Sequence, residues 1–209
     1  MNLKNNLLET EKKILTAIEG LFMRYGIKSV TMDDISRKLG MSKKTIYQYV
    51  DNKADLIHKV MNQHIETELK EMEKIREESK DAIDEMLGIS KHVTQMLRQM
   101  SPTTIYDLHK HYRETWLMME AFHKEHIYNF MKMNLEKGVK EGLYRKGFNP
   151  DIIAKFYVVQ TLCVVDEDQF SLQDYNKEKL FVAFSDYHLR GVASAKGLKK
   201  LEQYLSKSK

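Results

Sequence analysis

Cysteine, proline and glycine are all scarce in this 209-residue sequence, and each scarcity narrows the fold. The single cysteine, Cys163, has no partner for an intrachain disulfide. That removes the disulfide-stapled folds and fits a reducing cytoplasm. Two prolines and nine glycines leave few places where a helix must stop. No run of 18 apolar residues is present, so no membrane span is expected. The opening Met1-Asn2-Leu3-Lys4-Asn5-Asn6 lacks the apolar stretch and small-residue cleavage site of a secretion signal, and a cytoplasmic location follows as the expectation. Strand-like alternation, internal repeats and low-complexity tracts are missing too. A net charge of +4 is too weak to argue for nucleic acid, so the placement of charge must decide.

What is present is helical periodicity. Ile14, Ile18, Leu21, Phe22 and Tyr25 recur at helical spacing until Gly26. Thr31-Met32-Asp33-Asp34 has the form of a capping box, and the short helix it opens closes at Gly40. Ser42 can cap a third helix that turns Ile46 and Val50 inward, and Asn52 with Asp55 can cap a fourth, long one over about 53–80. Ser101-Pro102 and Asn149-Pro150 each place a capping residue before a proline suited to the first helical position. Together these signals predict helices over roughly 81–100, 102–111, 113–137, 150–165 and 176–190, with a short amphipathic helix in the Lys-rich tail, Lys199 to Lys209. The fold class is all-α. It divides into a domain of short helices at 1–52 and a larger helical domain at 53–209.

Two short helices separated by Gly40-Met41 behind a longer first helix make the helix-turn-helix arrangement, whose second helix enters the major groove. Charge is segregated accordingly. Arg37, Lys38, Lys43 and Lys44 lie between Ser36 and Val50 with no acid among them, while Asp33, Asp34 and Asp51 lie outside. Each cation that neutralises a phosphate releases a counterion. Ser42, Thr45, Tyr47, Gln48 and Tyr49 add hydrogen-bonding groups, and Gln48 can pair with adenine in a bidentate manner. The helix starts at Thr31 and at Asn52-Lys53 offer backbone N–H groups to phosphate.

The segment from Thr31 to Lys53 resembles the DNA-binding region of the tetracycline-repressor (TetR/AcrR) family. The resemblance is carried by the hydroxyl cap, Ile35-Ser36 followed by Gly40, Thr45-Ile46-Tyr47-Gln48-Tyr49, and Asn52-Lys53 followed by Leu56. It implies that Thr31, Ser42, Lys44, Thr45, Tyr47, Tyr49 and Lys53 stand at operator-contacting positions; Val50 departs from the Phe found in many members. Gly138-x-x-x-Gly142-Leu143-Tyr144 is similar to many members as well. The partner implied is double-stranded operator DNA, and the activity is that of a repressor of palindromic operators released by a small molecule.

The resemblance also implies a C-terminal domain that holds the effector and dimerises through its last two large helices. Ile152, Phe156, Val159, Cys163, Leu180, Phe184 and Tyr187 exceed what one internal face needs, which fits a homodimer interface. Met96, Met100, Tyr106, Trp116, Met119, Phe122, Tyr157 and Gln160 fall on helices expected to surround a pocket. Thirteen methionines suit an adaptable, largely apolar cavity, although such stripes also serve as plain core. No cofactor is expected. Two alternatives stay open. His109, His111, His123 and His126 could hold the metal of a helical enzyme, although Lys124 and Glu125 between the latter two fit a solvated face. A sequence-tolerant DNA-binding protein is the other, against which the modest charge, concentrated in one motif, argues.

Overall fold

The computed structural model describes residues 2–171 and 173–207, with side chains from residue 11 onward. The leader expectation at Met1–Asn6 concerns side chains outside that range, and Ser208 and Lys209 of the tail lie outside it as well. Among the described residues eleven α-helices run in order: α1 Asn2–Tyr25, α2 Met32–Leu39, α3 Lys43–Ile46, α4 Lys53–Glu78, α5 Ala82–Gln99, α6 Thr103–His111, α7 Arg113–Phe122, α8 Tyr128–Lys140, α9 Pro150–Val165, α10 Lys177–Val192 and α11 Ala195–Lys207. Among the described residues the only β pairing is an isolated bridge between Tyr144 and Ala193. The chain is all-α.

Helix starts follow the side chains that can satisfy free N–H groups. Asn149 accepts from the Asp151 amide at 2.9 Å ahead of Pro150, and Asn176 accepts from that of Lys179 at 2.9 Å. Ser101 differs from the expectation. Its hydroxyl lies 3.2 Å from Thr103 Oγ1, while its carbonyl accepts from the Thr104 amide at 3.0 Å, so the backbone makes this start unaided. The helix expected over 113–137 is interrupted by a π turn at His123–Ile127, between α7 and α8. Apolar residues wrap this stretch, and one inserted residue rotates the buried face without ending the helix.

The chain forms two compact units. The first takes in residues up to Glu68 together with Gln99–Glu120. Its core contains Ile18, Phe22, Ile27, Ile35, Ile46, Val50, Leu56, Ile57 and Leu108. This unit is larger than a domain ending at residue 52, because the start of α4 and the face of α6 at Leu108 share one apolar core with α1–α3. The second unit comprises Leu69–Arg98 and Ala121–Lys209. Ile83, Met86, Met131, Leu135, Tyr157, Leu189 and Leu201 pack at its centre. There the Tyr144 hydroxyl donates to Asn134 Oδ1 at 2.9 Å and also lies 3.0 Å from the Ala82 carbonyl. The Tyr144 ring occupies the space that a Cβ on Gly138 would need. The Gly-x-x-x-Gly-Leu-Tyr run is therefore a packing device: a missing side chain on α8 lets an aromatic ring reach a buried amide.

Candidate DNA-recognition site

Local chemistry builds α2 and α3 as rigid short pieces. Thr31 Oγ1 accepts from the Asp34 amide at 3.2 Å and Asp34 Oδ2 accepts from the Thr31 amide at 2.9 Å, completing the capping box. Such a cap stabilises a helix by about 1 kcal/mol. The Thr31 hydroxyl, which donates to Asp34 Oδ2 at 2.6 Å, and then the Thr31 amide hold the Asp34 carboxyl below the usual range. Gly40 ends α2 with φ 63°, a left-handed conformation that disfavours any side chain, and Met41 N returns to Ser36 O at 3.1 Å. Two residues later Ser42 Oγ accepts from the Thr45 amide at 3.1 Å. Only one α turn follows, continued by Gln48 N to Thr45 O at 3.2 Å and Tyr49 N to Ile46 O at 2.9 Å. Ile46 and Val50 are 3% and 4% exposed, so this segment is pinned on the first unit's core. Lys44, Tyr47, Gln48 and Tyr49 consequently face solvent.

Electrostatics sort the expected contacts into three groups. Lys38 and Lys44 are exposed and make no ion pair among the described residues. Lys43 Nζ sits 2.7 Å from Asp33 Oδ1, and Arg37 Nη1 lies 3.9 Å from Asp34 Oδ1. Exposed pairs of this kind are worth about 0–1 kcal/mol, so a phosphate can take either cation. Lys53 is different. Its ammonium donates to the Ile27 carbonyl at 2.8 Å and lies 3.5 Å from that of Lys28, and burial lowers its pKa. The residue is turned towards the loop after α1, holding that loop in place. The start of α4 is capped by Asn52, whose Oδ1 accepts from the Asp55 amide at 3.0 Å.

Sequence reasoning missed the residues that brace this unit from α6. Asp107 Oδ2 accepts from the Lys28 amide at 2.8 Å, and Thr104 Oγ1 donates to the Phe22 carbonyl at 3.1 Å. Both side chains are buried. They satisfy backbone groups at the end of α1 and in the loop leading to α2. Two polar residues at i, i+3 beside the apolar Leu108 were the available signal, although their partners lie about 80 residues away in sequence.

The remaining expected residues divide between interior and surface. Trp116 and Met119 pack partly buried against the first unit's core. Met96 and Met100 are half-buried, while Phe122 and Tyr157 are buried. Tyr106 and Gln160, also expected to line a pocket, lie at the surface. Tyr106 is exposed with Lys110 Nζ 4.9 Å from its ring centre, and Gln160 is exposed on the outer face of α9. On the expected interface, Ile152, Phe156, Val159 and Tyr187 are 46%, 59%, 64% and 71% exposed. Cys163, Leu180 and Phe184 are half-buried, and Phe184 turns inward to Tyr157, with ring centres 5.0 Å apart. The four histidines are not gathered: His109 packs on Trp116 at 4.9 Å, whereas His123 and His126 flank Phe122 at 5.4 and 5.8 Å. Among the described residues no group of three or more His, Cys, Asp or Glu side chains is placed to hold a metal ion.

Residues 14–60 match the family described as bacterial regulatory proteins, tetR family. The chain is 24% identical over 186 residues to the uncharacterised HTH-type transcriptional regulator YvaF of Bacillus subtilis, covering 88% of this chain and 96% of that one. Its fold is similar to that of a transcriptional regulator from Cytophaga hutchinsonii, with TM-score 0.70 at 21% identity over 88% of this chain and 99% of the other. It is similar as well to that of the regulator FadR from Bacillus subtilis, solved with stearoyl-CoA, with TM-score 0.62 at 20% identity over 86% and 97% of the two chains. With the helix-turn-helix geometry described above, these matches give residues 14–60 the DNA-binding region of the tetR family, and the whole chain is similar in fold to transcriptional regulators that carry it.

Proposed function

We propose that the protein is a cytoplasmic homodimeric repressor that binds a palindromic operator and is released by a small, largely apolar effector. The observation that carries this reading is the segment 42–50, where buried Ile46 and Val50 hold Lys44, Tyr47, Gln48 and Tyr49 outward on a capped, rigid support. A dimer would set two such segments in successive major grooves, roughly 34 Å apart. Thr31, Arg37, Ser42, Lys43, Lys44 and Thr45 would hold phosphates, and Tyr47, Gln48 and Tyr49 would meet base edges or sugar. Lys53 acts indirectly in this scheme, by fixing the loop after α1.

The exposed apolar stripe of Ile152, Phe156, Val159 and Tyr187 supports dimerisation, since large apolar groups grouped on a surface are an interaction liability unless covered. Effector binding would favour a conformer with lower operator affinity, and by linkage the operator would weaken effector binding equally. The role is that of a binding protein and not of an enzyme. The solved stearoyl-CoA complex of FadR shows that a protein of this fold takes an acyl ligand, which supports an apolar effector here.

The test begins with selection of bound fragments from the source genome to obtain the operator. Lys44→Ala with Tyr47→Ala is then expected to lower operator affinity about 100-fold or more, read by fluorescence anisotropy, with the mass of the dimer unchanged. Equal affinity of the variant and the parent protein would refute the site.

A further inference from the structure

The second unit buries three polar side chains on facing helices, and its own packing leaves one of them, Ser185, unsatisfied. Ser185 and His188 lie on the inward face of α10 and Tyr157 on that of α9; they are 4%, 7% and 3% exposed. The Ser185 hydroxyl has no hydrogen-bond partner among the described residues. None of the hydrogen bonds among those residues involves the Tyr157 hydroxyl or the His188 ring. Aromatic faces surround them. Tyr157 stands edge-on to His188 at 4.9 Å and 5.0 Å from Phe184, which in turn meets Phe181 at 5.8 Å.

Buried hydroxyl and imidazole groups nearly always find a partner, because leaving water without one is costly. Core packing would be served by Ala at 185 and Phe or Leu at 188. Resting on the repressor reading given above, we infer that Tyr157, Ser185 and His188 form the polar floor of the effector site, and that the effector is an uncharged molecule with an aromatic or apolar body and a hydroxyl or carbonyl group. Neutral imidazole supplies one donor and one acceptor, and the two hydroxyls supply both. Burial keeps His188 neutral, lowering its pKa to about 4, and pushes that of the Tyr157 phenol up. Of the charged groups nearest along α10, Asp186 and Arg190 are exposed and bonded to each other at 2.9 Å. Neither of these two side chains is turned inward to match a carboxylate or a phosphate.

Three molecules of one size separate the possibilities: naphthalene, 2-naphthol and 2-naphthoate, which offer no polar group, a neutral hydroxyl and an anion. Titrated calorimetrically into the full chain at neutral pH, 2-naphthol is expected to bind at least about tenfold more tightly than the other two. Ser185→Ala with His188→Leu should erase that preference while raising the melting temperature of the free protein. Equal binding of all three, tighter binding of 2-naphthoate, no binding of any of them, or a preference that survives the double substitution would each overturn the inference. Operator affinity measured on the same protein keeps the two readings apart. A parent protein that binds 2-naphthol selectively but no genomic fragment would lose the repressor reading alone, and intact operator binding without naphthol selectivity would lose this one alone.

Discussion

The recognition segment 42–50 and the outer face of α9 and α10 both hold large side chains away from the core, with opposite chemistry. In the first, Tyr47, Gln48, Tyr49 and Lys44 project polar groups from a backbone whose hydrogen bonds are closed by Ser42. In the second, Phe156, Val159 and Tyr187 expose apolar surface from helices with ordinary caps. A polar, braced surface can stay soluble while waiting for a charged partner. An apolar one of this kind gains by being covered, at roughly 25 cal/mol per Å² of apolar area removed from water. In the function proposed above, the difference gives the two surfaces separate partners: DNA for one and a second copy of the chain for the other.

The comparison is broken most severely on the apolar side. Phe156→Asp with Val159→Asp is expected to convert the dimer to a monomer across the micromolar range by sedimentation equilibrium, since two charges per subunit would be buried without partners. A dimer that survives both substitutions would place the interface elsewhere. A smaller effect comes from acid and concerns the inner face of α10. His188 binds its proton at about pH 4 when folded, and near 6.5 when unfolded. The unfolded chain thus binds more protons between those values, and stability should fall as pH drops from 6.5 towards 4, by up to about 3 kcal/mol. Urea unfolding of the parent protein and of His188→Phe checks this: the slope in that window should flatten in the variant, and identical slopes would clear His188 of the effect. Smallest is a change on the polar side. Asp33→Asn releases Lys43 from its 2.7 Å pair and should tighten operator binding about two- to fivefold with a steeper salt dependence, in keeping with the worth of an exposed pair. Weaker binding would show that Asp33 aligns Lys43 instead of competing for it.

The two surfaces were not equally legible in the sequence. Thr31 with Asp34, Gly40, and Ser42 with Thr45 could be read because each cap closes within three or four residues and uses residue types that have few other uses. The proline and asparagine at the start of α9 were legible for the same reason. The direction of Lys53 was not, since its partner is the carbonyl of Ile27, brought close only by the fold. Thr104 and Asp107 escaped likewise. On α9 the run from Ile152 to Val165 is apolar on every side, so periodicity could not say that Tyr157 points in and Gln160 out. The π turn at His123–Ile127 has no sequence signature: its histidines read equally well as a ligand pair.

The first compact unit is assembled from two stretches of chain, up to Glu68 and Gln99–Glu120, and that has a consequence for synthesis. A ribosome that has released the recognition segment has not yet released α6, whose Asp107 and Thr104 close the end of α1. Operator-competent geometry is therefore completed only after about half of the polypeptide has emerged. A fragment cut at residue 52 would carry every expected DNA-contacting residue except Lys53 and still lack the braces that hold them in place.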